Sequence, residues 1–340
     1  MSASSFVFVR PQSAAEIPAP SPEFVDVAVL DMNHAHHNAG HDSIVGHVRR
    51  FAGDLAPSLE AMGAKVRLTS YDVRRKSLLP RLGDGFSLVI GTGGPGHLDP
   101  RRNVRDAVDE GEILESAEWE GPLFDFYDAV EAHERAMLYG VCHSFGLLCR
   151  WSGIAEPALR DEKKGGPSIG IVDNVLTAQG LAHPWFARLA SHLPDGRHLP
   201  VVDSRHYDLI PSRKRFPRGV VPVAYETQPG GEAGEALTMV EFARKPNGTP
   251  RIFAANHHPE IPNAADLSQL LDRKLREGEV SQEWYATRAA LVERLQRDDH
   301  SEPARLLAAG YSFTFLLRDG LKDLIEDRRQ RRGRTVSGAL

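Results

Sequence analysis

The sequence is poor in cysteine, in long apolar runs and in excess charge of either sign, and each shortage excludes something. Only Cys142 and Cys149 occur in 340 residues. On one helix they would be separated by about 10 Å of rise, too far for a disulfide. A disulfide scaffold is therefore excluded, and cysteine poverty suits a reducing, cytoplasmic setting. No apolar run reaches the roughly 18 residues of a membrane span, and the start of the chain lacks the charged, apolar, small-residue order of a signal peptide. The net charge of −5 offers no basic footprint for nucleic acid. The basic runs Arg213-Lys214-Arg215 and 328–334 read as solvated faces. What remains, 41% hydrophobic and 26% charged, is the composition of a soluble globular protein with enough chain for a large core.

Residues 1–23 are rich in Ser, Ala and Pro and read as a loose leader. Val25–Leu30 is a short apolar run of strand length. A His-rich loop follows, then a helical pattern through Ile44, Val48, Phe51, Leu55, Leu59 and Met62 that Pro57 should interrupt. Lys65–Tyr71 and Phe86–Ile90 read as strands, the second running into Gly91-Thr92-Gly93-Gly94-Pro95-Gly96. A helix-rich stretch over about 103–135 precedes a strand at Ala136–Val141 and a helix over Phe145–Trp151. Strands are expected at Ser168–Leu176, Leu199–Asp203, Val220–Tyr225, Leu237–Phe242 and Arg251–Ala255. From Ala264 the pattern turns helical, with Trp284, Tyr285, Leu291 and Leu295 on one apolar face. Alternating strands and helices predict an α/β fold with a doubly wound, mostly parallel sheet flanked by helices. The domain is expected over 24–262, a helical extension over 263–330 and a disordered tail over 331–340.

Three segments carry candidate chemistry. In Tyr139-Gly140-Val141-Cys142-His143-Ser144 a strand breaks into a helix at a cysteine flanked by small residues. That pattern lifts a nucleophile out of a sheet, and the helix N-terminus beyond it favours a thiolate. A lone free cysteine is otherwise ordinary core packing, as expected for Cys149. In Asn256-His257-His258-Pro259-Glu260, a glutamate two residues after a histidine can orient it and hold its tautomer. In Gly93-Gly94-Pro95-Gly96, backbone N–H groups could face a developing oxyanion. A phosphate cradle is disfavoured because no Gly-Lys-Ser/Thr follows.

The order of these segments resembles the class I glutamine amidotransferase family over roughly residues 25–262. Gly93-Gly94-Pro95-Gly96 is similar to the family's oxyanion loop, Gly140-Val141-Cys142 to its nucleophile elbow, and Ala255-Asn256-His257-His258-Pro259-Glu260 to its terminal Gln-Phe-His-Pro-Glu. Ser204-Arg205-His206-Tyr207-Asp208 stands where the family has a Ser-x-His-x-Asp-like segment. The resemblance implies a triad of Cys142, His258 and Glu260, with the N–H groups of Gly94 and His143 as the oxyanion hole. It implies substrate contacts from Gly93, Gly96, Ser144, Gly146, His206 and Tyr207. Two features depart from the family. Its elbow continues Cys-x-Gly-x-Gln, whereas here it reads Cys142-His143-Ser144-Phe145-Gly146, so Gly146 replaces a pocket-shaping glutamine. The stretch between the glycine loop and the elbow is also long, as a lid or a partner surface would be.

The function expected is hydrolysis of a carboxamide, glutamine or a larger amide, through a Cys142 thioester, with ammonia released or transferred. Acyl transfer and γ-glutamyl hydrolysis by the same triad remain open, as does a non-catalytic regulatory subunit. The chain carries no recognisable nucleotide-binding synthetase motif, so a synthetase or acceptor-activating partner would be a separate polypeptide. A homo-oligomer is compatible with the sequence. No cofactor is expected, and no metal: His34, His36, His37, His41 and His47 crowd the loop after the first strand without a zinc spacing. That loop is better read as polar surface at the carboxyl end of a strand, where α/β sheets bind ligands.

Overall fold

Short runs of β-branched and aliphatic residues build the strands of the first unit. The structure, a computed structural model, describes residues 5–36, 38–83, 87–103, 113–160, 166–191, 193, 195–213, 215–261, 264–276, 282, 285–286, 289–290, 293 and 310–337. The chain divides into two compact units, Met1–Ser144 with Ala243–Ile252 and Thr314–Leu340, and Phe145–Phe242 with Phe253–Phe313.

In the first unit, strands β1 (Phe6–Val9), β2 (Phe24–Asp31), β3 (Lys65–Asp72), β4 (Ser87–Gly91) and β5 (Ala136–Val141) lie in the order β1-β3-β2-β4-β5. Each of these neighbours pairs in parallel with the next. All six β5 residues are buried, as are the last four of β4, the unbroken apolar pattern of strands covered on both faces. Each fully buried Val, Leu or Ile there contributes about 1.5–3 kcal/mol. Helix α1 (Ala39–Asp54) packs on β1 and β3. It begins at Asn38, whose side chain accepts from the His41 amide, satisfying one of the free N–H groups of the first turn. Pro57 does interrupt the helical run: α1 ends and α2 (Ala56–Ala61) restarts with that proline in its first turn. Helices α3 (Val73–Lys76) and α4 (Glu120–Ala132) complete the wrapping. Arg251 donates to the carbonyls of Val130, Glu131 and His133 at the exposed end of α4, groups that a helix C-terminus leaves unpaired.

Helix α5 (His143–Ser152) leads into the second unit. Its strands are β6 (Ala155–Leu159), β7 (Ser168–Leu176), β8 (His198–Arg205), β9 (Tyr207–Pro211), β10 (Val221–Thr227) and β11 (Ala233–Arg244). They pair antiparallel, β7 with β8 and β10, β11 with β10 and β9, and β6 with β9. Two short helices, α6 (Ala178–Leu181) and α7 (Ala187–Ala190), separate β7 from β8. Strand β12 (Pro250–Ala255) follows, then α8 (Ala264–Arg276) and α9 (Tyr311–Ser337). The chain is thus α/β, with a mixed sheet flanked by helices and a helix at its C-terminal end. No helix among the described residues is long and apolar enough to cross a membrane.

Two expectations are corrected. Residues 1–23 are not simply a loose leader, because Phe6–Val9 joins the sheet edge beside Val66–Thr69; four residues are too short a run to signal a strand by periodicity. The tail expected over 331–340 is helical as far as Ser337, carried by the arginines and glutamine that continue the helix. In α9, Leu316, Leu317, Leu321, Leu324 and Ile325 are buried. At Gly320 the helix comes so close to β4 that an added Cβ would stand 2.9 Å from Leu88 Cδ1. Trp284, Leu291 and Leu295 lie outside the described residues.

Candidate active site

Cys142 is the single residue between the end of β5 and the start of α5, and its backbone has φ +47°. A side chain in that left-handed region costs about 1–2 kcal/mol, so the neighbouring packing must hold it there. Gly91 and Gly140 are paired across β4 and β5, and a Cβ at Gly91 would stand 2.4 Å from Ser144 Oγ. Glycine at 91 therefore lets the first turn of α5 settle against the end of β4. Ser144 locks it: its Oγ donates to the Thr92 carbonyl at 2.7 Å and its amide to the same oxygen at 3.3 Å. The Ser144 hydroxyl, expected at the substrate, is thus hydrogen-bonded into the elbow itself.

Thr92 joins the elbow to the glycine loop. Its Oγ1 accepts from the Met32 amide at 2.9 Å and donates to the Gly93 carbonyl at 2.8 Å. Gly94 rests directly on the β2 loop, where an added Cβ would lie 2.2 Å from the Met32 carbonyl oxygen. In the first unit, then, Gly93, Gly94 and Ser144 share one neighbourhood at the carboxyl ends of β4 and β5, with Cys142 and His143 directly before Ser144 in the chain, while Gly96 lies against Asn103 and Ile113. Thr92 and Met32 connect that neighbourhood, and the sequence pattern assigns neither a role. Thr92 is visible inside the glycine-rich run, but its hydroxyl carries no motif. Cys142 is half-buried, whereas Cys149 is buried and its thiol pKa is pushed well up by that burial.

In the second unit, His258 Nδ1 donates to Glu260 Oε1 at 2.8 Å, and Glu260 is fully buried. A carboxylate acceptor fixes the proton on Nδ1 and leaves Nε2 as the basic nitrogen. The His258 amide donates to the Val202 carbonyl at 2.8 Å, tying the dyad to β8. His206 forms the corner between β8 and β9, and its carbonyl accepts from the Arg160 amide. The Tyr207 carbonyl accepts from Asn256 Nδ2 at 3.4 Å, so Tyr207 flanks the segment that carries His258 and Glu260. Gly146 is buried within α5.

His257 differs from its neighbour. It is 1% exposed, and burial first, then the charges of His258 and Arg205, lowers its pKa to about 3. It therefore stays neutral while an unfolded chain would protonate it near the ordinary 6.5. Below that value the unfolded state binds the extra proton, so stability falls with decreasing pH between about 6.5 and about 3. The slope from this residue is on the order of 1 kcal/mol per pH unit. We expect His257→Asn to show a flatter fall of the melting temperature from pH 6.5 to pH 4. Parallel profiles for the two proteins would contradict the assignment.

The histidines after β2 are largely absorbed by the fold. His41, buried in α1, has its Nε2 2.9 Å from Ser70 Oγ and 3.2 Å from Arg10 Nη2. His47 Nδ1 accepts from Arg50 Nη2 at 2.6 Å. His34 and His36 stack at 6.5 Å between centroids, and His37 lies outside the described residues. Among the described residues no group of three or more His, Cys, Asp or Glu side chains could hold a metal ion.

No protein-family model matches the chain, and no curated protein does. Among solved structures it is similar to the glutaminase domain of Trypanosoma brucei CTPS with bound acivicin, at 12% identity over 86% of this chain and 94% of that one, with a TM-score of 0.46. It is also similar to the structure named SMU.1228c, at 14% identity over 89% and 99% of the two chains and a TM-score of 0.43. A third is a GMP synthase subunit from Thermoplasma acidophilum, at 11% identity over 91% and 97% and a TM-score of 0.38. Likeness at this level assigns neither a family nor a chemistry to the chain.

Proposed function

We propose that the chain is a cysteine amidohydrolase of the glutamine amidotransferase kind, and the observation that carries this reading is the left-handed backbone of Cys142 at a strand-to-helix break. His34, Ala35 and Ser77 share the left-handed backbone, but only at Cys142 does it fall on a nucleophile at a strand-to-helix break, the geometry of an elbow. The second support is the buried Glu260 that fixes the His258 tautomer. In the reaction, Cys142 Sγ adds to the carboxamide carbon as His258 Nε2 takes the thiol proton. His258 returns that proton to the leaving nitrogen, ammonia departs and a thioester remains. Water, deprotonated by His258, then adds to the thioester carbon, releasing the acid and regenerating the thiol. The N–H groups of Gly94 and His143 hold the oxyanion in both steps. Ammonia would pass to an acceptor activated by a separate polypeptide.

Gly146 shapes the substrate. Glycine brings no side-chain donor or acceptor to hold the amino-acid end of free glutamine, so the substrate is a bulkier amide or the pocket is completed by a partner. The decisive measurement is intact mass after incubation with glutamine, γ-glutamyl peptides, larger carboxamides and acyl-coenzyme A. We expect an acyl adduct from an amide on Cys142, none on Cys142→Ala, and faster iodoacetamide labelling of Cys142 than of Cys149. Free glutamine should turn over with kcat/KM below about 10⁴ M⁻¹s⁻¹. An adduct from thioesters alone would make the protein an acyltransferase, and labelling of Cys149 first would remove Cys142 as nucleophile.

A further inference from the structure

The glycine loop is gripped by a buried cation that the mechanism does not use. Arg74, in α3, has a fully buried side chain facing Glu115, whose own side chain is 1% exposed. Arg74 Nε and Nη2 donate to the two oxygens of Glu115 at 2.9 and 2.6 Å. The remaining nitrogen, Nη1, donates both to the Met32 carbonyl at 2.9 Å and to the Pro95 carbonyl at 2.7 Å. One nitrogen thereby spans the β2 loop and the glycine loop, at the place where Gly94 rests on Met32.

Glu115 belongs to the long stretch between the glycine loop and the elbow, and its neighbours tighten the same grip. Glu115 Oε1 accepts from Asn103 Nδ2 at 2.5 Å, and Oε2 accepts from Trp119 Nε1 at 3.2 Å. Asn103 holds the far end of the glycine loop at both backbone groups of His97, accepting from its amide at 2.7 Å and donating to its carbonyl at 3.0 Å. Ile113 and Asn103 also close over Gly96, where an added Cβ would lie 3.1 Å from Ile113 Cδ1 and 2.9 Å from Asn103 Oδ1.

We infer that Arg74, oriented by Glu115, is a positioning residue that sets the aim of the Gly94 amide, and that Asn103, Ile113 and Glu115 buttress the loop. The inference rests on the reading of that loop as an oxyanion hole. A guanidinium suits the task because its planar fork reaches one carboxylate and two carbonyls at once, whereas an ammonium gathers its three donors on one nitrogen and lacks that spread. The lysine of Arg74→Lys keeps the charge opposite Glu115 and loses the span between the loops.

The test compares the wild-type full-length chain with Arg74→Lys and Glu115→Gln, well below their melting temperatures. Three quantities are read: turnover of the amide that acylates Cys142, the rate of Cys142 alkylation by iodoacetamide, and hydrogen exchange at the amides of Gly94, Gly96 and His97. A misplacement of about 1 Å at a reacting centre costs about 10²-fold. We expect kcat to fall by that order with KM nearly unchanged, alkylation to hold within about twofold, and exchange at those amides to quicken. A merely structural role would lower the melting temperature and leave kcat and local exchange alone, which would overturn the proposal. So would a parallel loss of turnover and alkylation, since the elbow itself would then have moved. If the wild type turned over no amide, the amidohydrolase reading would fail, and hydrogen exchange alone would decide whether Arg74 holds the loop.

Discussion

Cys142→Ala and His258→Ala should each abolish amide turnover, and the double variant should be no worse than either alone. Nucleophile and base act as a unit, so removing one removes nearly everything the other contributes. In a comparable triad each such loss is about 10⁶-fold, with the orienting carboxylate about 10²-fold less damaging. Glu260→Gln should accordingly lose about 10⁴-fold, because the amide can still accept from Nδ1 but no longer balances a positive imidazole. The carboxylate stands 2.8 Å from His258 Nδ1 with no exposure to water, so its charge is poorly screened and its removal is felt. The measurement is kcat/KM of the four variants on the amide that acylates the wild type, with melting temperatures to confirm folding. Independent, multiplying losses from Cys142→Ala and His258→Ala would show that the two residues do not serve one reaction. An active His258→Ala would remove His258 as the base.

Gly94→Ala should lower kcat by about 10²–10³-fold, the effect of deleting one oxyanion donor. The added Cβ would lie 2.2 Å from the Met32 carbonyl oxygen and 2.9 Å from the Met32 carbonyl carbon. Both are backbone atoms with no rotamer to change, so one loop must move off the other. That movement would carry the Gly94 N–H away from the oxyanion that forms on the substrate carbonyl. Alkylation of Cys142 needs no oxyanion hole and should continue at close to the wild-type rate. Gly46→Ala is the control, because nothing lies within 4 Å of a Cβ there. Equal kcat values for Gly94→Ala and Gly46→Ala would show that the loop takes no part in the chemistry.

Residues whose role is local were legible in the sequence. The apolar runs at 25–30, 65–71 and 136–141 predicted β2, β3 and β5 within two residues at either end, because continuous burial leaves a continuous pattern. Pro57 announced the break between α1 and α2 through its missing N–H. The hydrogen bond between His258 and Glu260 could be anticipated for the same reason, since the two sit two residues apart and meet without help from distant chain. Strands β6 and β9 left no such pattern. Their burial is interrupted, and each finds its partner across about 50 residues of sequence.

The sequence by itself determined the strands that bury both faces, the place where a strand gives way to a helix at Cys142, and the pairing of His258 with Glu260. Each follows from contacts within a few residues, where covalent geometry dictates which side chains can meet. Only the tertiary structure decided the left-handed turn of Cys142, since that conformation is disfavoured locally and is held by the packing of Ser144 against Gly91 and Thr92. It alone decided that the strands of the second unit run antiparallel to their neighbours, because an apolar pattern reads the same in either direction. It alone joined Arg74 to Glu115, which are 41 positions apart. A buried charge finds its partner by the folding of the chain around it, and no local periodicity records that meeting.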